Sequence, residues 1–275
     1  MDLSDSVLQH LREVVDLPDL AGTRYELECE IGRGGLGVVY AARDRELDRR
    51  VALKVMDAEW AAEARLIARL EHPGIVPVHE TGTLPDGRVF YAMKLVAGKR
   101  ADRYLETGPS LSERLRVVQR VGEALAYAHS CGVLHRDLKP QNVMVGGFGE
   151  VYVMDWGVDG VAGTPAFRAP EGGFDGRSDI YSLGALLKFM LPAGAPRALS
   201  AIAEKAMSTD PAARYKDAGD MLADIWRFQE KLAVEAYPES PWERIRRYAE
   251  RNAVLLWLLA AYLGVRFLLF FLRKF

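Results

Sequence analysis

Cysteine is scarce: Cys29 and Cys131 are the only two thiols in 275 residues, and they stand far apart. Two isolated thiols build neither a zinc site nor a disulfide framework, so a reducing compartment is the expectation. Histidine is nearly as sparse, and His10, His72, His79 and His129 show no metal-ligand spacing. Net charge is almost absent, with 38 acids against 36 bases. That balance carries no basic signature, and nucleic acid is not expected as a partner. Internal repeats and low-complexity segments are missing too. Residues 1–20 have acids where a secretory signal needs a basic end and an apolar run, so no such signal is expected. With 49% hydrophobic and 27% charged residues the chain is globular in class, which excludes wholesale disorder and collagen-like architecture. Its length suits one large domain or two small ones.

The near-zero charge hides a split. From Ser240 onward seven bases (Arg244, Arg246, Arg247, Arg251, Arg266, Arg273, Lys274) face two acids (Glu243, Glu250), a balance of +5. The first 239 residues therefore carry −7. The basic residues flank Ala253 to Leu272, 20 residues with Arg266 as their one charge. At about 1.5 Å per residue this stretch reaches roughly 30 Å, the hydrocarbon thickness of a bilayer. Arg266 costs about 2.5–3.5 kcal/mol near a membrane centre, which the surrounding apolar side chains outweigh. The expectation is a transmembrane helix over 253–272 that contacts the lipid bilayer. The arginines ahead of it place the body on the cytoplasmic face of the inner membrane, as a single-pass tail anchor. Ser240-Pro241-Trp242-Glu243 reads as a helix start, from which one continuous helix could run through the span. Ala260 and Gly264 form a small-xxx-small pair that would permit a homodimer through this helix.

In the body, YELECEI, GVVYAA, RVALKVM and RVFYAMKLV read as strands, interrupted by a helix over 57–70. From Ser110 onward helices dominate. Ser110 and Glu113 form a capping box, Leu111, Leu115, Val118, Leu125 and Ala128 keep helical spacing, and Gly132 ends the run. Strands first and helices second predict an α+β protein with a small β-rich lobe and a larger helical one.

Ile31-Gly32-Arg33-Gly34-Gly35-Leu36-Gly37-Val38-Val39 contains the pattern G-x-G-x-x-G. In a dinucleotide-binding fold the last glycine opens a helix. Here β-branched Val38 and Val39 continue an extended strand instead. A glycine loop between paired strands can fold over phosphates, its amides reaching oxygens without Cβ clashes. Val51-Ala52-Leu53-Lys54 follows and offers one cation in an apolar run. Further on come Glu63, nine residues before His72, then His135-Arg136-Asp137-Leu138-Lys139-Pro140-Gln141-Asn142, Asp155-Trp156-Gly157 and Ala169-Pro170-Glu171. Asp179 to Gly184 and Asp210 to Arg214 complete the series. In this order the motifs resemble the signature set of the protein kinases, in their bacterial Ser/Thr form, over residues 25 to about 230.

The resemblance implies a bilobal kinase fold and a set of roles. Ile31, Gly32, Arg33, Gly34, Gly35, Leu36, Gly37, Val38 and Val39 would cover ATP. Ala52 and the Met93, Lys94, Leu95 and Val96 segment would meet adenine, with Met93 as gatekeeper. Lys54 would hold the α/β-phosphates and be oriented by Glu63. Asn142 and Asp155 would ligate Mg²⁺, or Mn²⁺ in its place. Asp137 would accept the substrate hydroxyl proton, and Lys139 would steady the transferring phosphoryl. Thr164 would position both. His135 is expected to support the loop and Trp156 to be a core residue, while the late Arg214 would pair with Glu171.

Three departures stand out. Only eight residues separate Lys54 from Glu63, so strand and helix must join almost directly at Asp57. Asp155 through Glu171 is 17 residues, with no hydroxyl between Gly157 and Thr164. The helix after A-P-E ends near Leu191 and leads through Pro192 to Pro196 into the next, omitting the usual αG-like region. The expected organisation is thus an N-terminal helix and linker (1–24), a kinase domain (25–230, divided near 96/97), a basic juxtamembrane helix (231–252) and the span (253–272). Two functions fit this plan. One is an active membrane-anchored kinase acting on Ser/Thr of a protein substrate or membrane partner. The other is a pseudokinase, a nucleotide-binding or structural subunit of a membrane assembly.

Overall fold

The computed structural model describes residues 17–34, 37–156, 165–173 and 175–272, with the backbone alone at 63, 64, 268 and 270–272. Eight strands are present among them: β1 (Tyr25–Gly34), β2 (Gly37–Asp44), β3 (Arg49–Met56), β4 (Val78–Thr83), β5 (Val89–Lys94), β6 (Gly98–Arg100), β7 (Val143–Gly146) and β8 (Val151–Val153). The first five form an antiparallel sheet in the order β1-β2-β3-β5-β4, and the last three a small second sheet. In β3 the two-residue period sends Val51, Leu53 and Val55 into the small lobe's core and turns Ala52, Lys54 and Met56 to the opposite face. Both faces are covered, so even Lys54 is only 5% exposed.

Helices α1 (Ala61–Ile67), α2 (Ala101–Leu105), α3 (Leu111–Ser130), α4 (Gly176–Met190), α5 (Arg197–Ala206) and α6 (Ala218–Gln229) build the rest of the body. The capping box at Ser110 forms: Ser110 Oγ accepts from the Glu113 N–H while Glu113 takes the Ser110 N–H. Gly132 ends the helix region at φ +74°, a conformation that disfavours Cβ. Between Ser178 and Leu187 every residue of α4 but the half-buried Tyr181 is buried, the mark of a helix inside a core. It approaches α5 closely at Gly184, where a Cβ would sit 2.5 Å from that of Ala206.

The expected α+β, two-lobed order is present, with some local differences. β4 escapes a pattern reading because VHETGT offers no apolar alternation; it is held by its pairing to β5. The helix expected over 57–70 contracts to a 3-10 turn at Ala58–Trp60 and the seven-residue α1. α4 stops at Met190, and α5 begins at Arg197, so the shortened connection is real. Of the N-terminal helix and linker expected over 1–24, residues 1–16 lie outside the described residues and 17–24 are loop and turn.

The C-terminal segment is two helices rather than one, α7 (Pro241–Arg251) and α8 (Ala253–Leu272). They part at Asn252 (φ −109°, ψ 23°), whose backbone N–H and Nδ2 both donate to the Tyr248 carbonyl. Residues 231–240 are loop, so the basic helix starts at Pro241, behind the capping box of Ser240 and Glu243. Among the described residues no helix is long and apolar enough to cross a membrane. Within α8, side chains are described for 253–267 and 269 only.

Candidate active site

The cleft between the lobes gathers residues that are more than 80 positions apart in sequence. Lys54, carried inward by β3, donates from Nζ to Asp155 Oδ1 at 2.8 Å, and its ammonium lies 5.9 Å from the Tyr91 ring centroid. Burial opposes the charge on Lys54, but its partners outweigh that and hold its pKa above the ordinary lysine value. Burial likewise opposes ionisation of Asp155, and the Lys54 ammonium reverses the effect, so the carboxyl stays below the usual range. The two groups are therefore a charged pair at neutral pH.

Asp137 belongs to a second cluster. Lys139 Nζ donates to its Oδ2 at 2.6 Å, and Asn142 Nδ2 donates to its carbonyl at 2.8 Å and its Oδ2 at 3.2 Å. Asn142 in turn accepts the Met154 N–H at its own carbonyl, 2.9 Å, which ties the catalytic-type loop to the strand leading into Asp155. Asp155 and Arg136 adopt left-handed backbone, at φ +56° and +68°, an unfavourable conformation for residues with a Cβ. Such strain persists where the surroundings over-determine it. Here they do. Asp179, on the buried α4, accepts the N–H groups of His135 and Arg136 at 2.8 and 2.9 Å and also contacts His129 Nε2 at 2.8 Å.

His135 is fully buried, and burial pushes its pKa below the ordinary imidazole value, so it is neutral. Its Nδ1 accepts the Asp137 N–H at 3.3 Å, a supporting role as expected. Trp156 packs 4.8 Å from the His135 ring and donates from Nε1 to the Val153 carbonyl at 3.0 Å. Below the cleft, Arg214 makes a two-pronged pair with Glu171, both bonds 2.7 Å, as the late motif led one to expect.

Of the residues expected over ATP, Gly32 and Gly34 have open space where a Cβ would stand. Gly37 is different: at φ +136° its Cβ would fall 2.0 Å from the Val55 carbonyl oxygen, so only glycine lets β2 leave the loop against β3. Ala52 and Met93 face each other across the β3–β5 register. Ile31, Arg33, Val38 and Val39 line the paired β1–β2 ribbon, and Lys94, which ends β5, donates to the Tyr152 hydroxyl at 2.6 Å. Leu95 and Val96 follow, partly exposed, between the lobes. Gly35, Leu36 and Thr164 lie outside the described residues, as does the Glu63 side chain.

The donor set suits a hard divalent cation. Asn142 uses its amide nitrogen on Asp137, which leaves Oδ1 as an oxygen ligand, and Asp155 has Oδ2 beside the oxygen given to Lys54. Among the described residues no cluster of three or more His, Cys, Asp or Glu could hold a metal alone.

Sequence reasoning missed Tyr91 beside the lysine and Asp179 as the anchor of the loop amides. Asp179 was visible as part of a motif, but spacing alone does not bring it under His135; the packing of α4 does.

The match to known proteins agrees with this geometry. The protein kinase domain model covers residues 25–210. The chain belongs to the protein kinase family. Among its relatives, the DNA damage-responsive serine/threonine-protein kinase RqkA of Deinococcus radiodurans is 41% identical over 64% of this chain and 30% of its own length. Serine/threonine-protein kinase PknJ of Mycobacterium tuberculosis is 38% identical over 64% of this chain and 35% of its own length. PknL of the same organism is 34% identical over 79% and 69%. The chain thus spans about a third of the first two relatives.

Proposed function

We propose that this chain is an ATP-dependent protein kinase that transfers the γ-phosphoryl group of ATP to Ser or Thr of a protein substrate. The observation that carries the reading is the joint placement, in one cleft, of a paired Lys54–Asp155 and an Asp137 carboxylate held by Lys139 and Asn142. Phosphoryl transfer asks little covalent help of a protein; it needs phosphate charge neutralised and a hydroxyl aligned. Lys54 binds phosphate oxygens, with Glu63 as its second expected partner. Asp137 accepts the hydroxyl proton, and Lys139, already on Asp137, meets the transferring group. Mg²⁺, held by Asn142 and Asp155, would supply charge neutralisation across the phosphates.

The sequence over 253–272, twenty residues with Arg266 as the one charge and arginines ahead of it, supports the second half of the proposal: the chain is anchored in the cytoplasmic membrane, with the kinase body on the cytoplasmic side. The substrate is then a protein at or near that membrane.

The full chain in detergent, given labelled ATP, Mg²⁺ and a generic Ser/Thr substrate, should show transfer that falls by about 10²–10⁴-fold in Asp137→Asn, the range for loss of a general base. Equal label in both proteins overturns the enzyme reading. Binding of ATP that is lost in Lys54→Met, without any transfer by the wild type, would instead mark a nucleotide-binding subunit. Alkaline extraction of membranes should leave the full chain in the pellet and release a chain lacking residues 253–275. Full release of the intact protein overturns the anchor.

A further inference from the structure

Helix α7 is amphipathic in an unusual direction. At about 100° per residue, Glu243, Arg246, Arg247 and Glu250 share one face. The half-buried part of that face, Glu243 and Arg247, is turned to the segment that leads from the body into the helix: Arg247 Nε donates to Glu239 at 2.8 Å and the Tyr237 hydroxyl donates to Glu243 Oε1 at 2.7 Å. Arg246 and Glu250 pair with each other along the exposed edge of that face. The groove they close includes Arg197, Phe228 and Lys231. Asp224 of α6 locks the approach to it by accepting the N–H groups of Glu235 and Ala236.

The apolar side chains consequently point away. Trp242, Ile245 and Tyr248, three apart on the opposite face, are 79%, 58% and 64% exposed. Nothing in α7 is buried. A helix docking on a soluble body would do the reverse. Beside the Tyr248 edge of the stripe stand Arg244 and Arg251, exposed and without an ion pair or hydrogen bond from their side chains among the described residues. The stripe runs toward α8, whose described side chains are apolar apart from Arg266, across the break at Asn252.

We infer that the Trp242/Ile245/Tyr248 face of α7 lies on the membrane itself, in the headgroup region of an anionic lipid surface, with Arg244 and Arg251 on lipid phosphates. The chemistry is complementary: aromatic and aliphatic groups for the interface, two unpaired guanidinium groups for negative headgroups. This seating requires the chain to turn at Asn252, where α7 and α8 part. Because Glu243 and Arg247 fasten α7 to the segment that leaves the body, this seating constrains how the catalytic cleft sits above the bilayer. The inference rests on the anchoring reading of α8 and adds a second, separable contact.

The test uses the full chain reconstituted in vesicles of phosphatidylcholine with and without phosphatidylglycerol. The Trp242 signal is obtained as the difference between wild type and Trp242→Phe, and the Trp257 signal as the difference from Trp257→Phe. Lipid brominated near the headgroup should quench Trp242 when phosphatidylglycerol is present. Arg244→Gln with Arg251→Gln should weaken that quenching several-fold while leaving Trp257 quenched by lipid. If Trp257 is quenched by brominated lipid but Trp242 answers only to aqueous acrylamide, the seating is wrong and the anchor stands. If neither tryptophan senses lipid, the anchor reading fails and takes the seating with it. If Trp242 is shielded from both quenchers, a second copy or another protein covers the stripe, and the lipid assignment falls.

Discussion

Lys54 is a strand residue whose neighbours in sequence are all apolar, and its charge survives burial through Tyr91 and through Asp155, 101 positions away. Trp156 stands beside that aspartate and is equally dependent on its surroundings. Its indole is 2% exposed and has its one donor satisfied by the Val153 carbonyl. Trp156→Phe removes that bond and leaves a gap against His135, so unfolding should become easier by about 1–3 kcal/mol in urea titrations. The pair Glu171–Arg214 gives a pH prediction. Hydrogen bonds from Arg214 hold the Glu171 carboxyl below its ordinary range. In Asp224, burial opposes ionisation, but the Glu235 N–H, Arg227 and Tyr215 overcome it. Both groups bind protons more weakly in the folded chain than in the unfolded one. Their contribution is therefore complete at neutral pH, and it declines as pH falls below the unfolded carboxyl value of about 4 and through the lower folded values. The melting temperature should be level between pH 7 and 5 and drop in that acid window. In Glu171→Gln the melting temperature should be lower at pH 7 and the acid drop shallower.

Elements carry a different kind of constraint, that of backbone and close packing. Gly37 sits where a Cβ would meet the Val55 carbonyl oxygen, so Gly37→Ala must open the β2–β3 pairing beside Lys54. Nucleotide affinity, read by calorimetry, should weaken by more than tenfold, equivalent to about 1.4 kcal/mol or more. Gly184→Ala acts on the other lobe by forcing α4 from α5. Overpacking of this kind costs about 1–3 kcal/mol, and since α4 carries Asp179 under the catalytic loop, transfer rate should fall together with stability. The helix caps are cheaper and more local: Ser110→Ala should cost about 1 kcal/mol without changing the rate. Such caps were legible from the sequence because they rest on residues three apart. β4 was not, since its existence depends on β5 more than on its own side chains.

At the scale of the molecule, the chain keeps the interior of a kinase and shortens its exterior. α1 is seven residues, Asp155 to Glu171 spans 17, and α4 passes to α5 with no intervening helix. Between Gly157 and Thr164 there is no hydroxyl to phosphorylate, so basal transfer by freshly purified protein should be unchanged by phosphatase treatment. A rise or fall on dephosphorylation would point to a phosphosite elsewhere. The charge split expected from the sequence also has a place in the structure: among the described residues α7 and α8 carry five arginines against two glutamates.

The sequence by itself determined the family, the order of the lobes, the apolar C-terminal segment and nearly every polar residue of the cleft. Glycine loops, H-R-D-x-K-x-x-N and capping boxes are local patterns whose chemistry requires fixed spacing. Only the tertiary structure decided which distant groups neutralise each other: Asp155 on Lys54, Asp179 on the His135 and Arg136 amides, Asp224 on the strand of chain that leads to α7. It also decided that α7 turns Glu243 and Arg247 toward the chain that precedes it and its tryptophan outward. An amphipathic sequence specifies two faces, but which one meets the body depends on the groups waiting there, and those come from elsewhere in the chain.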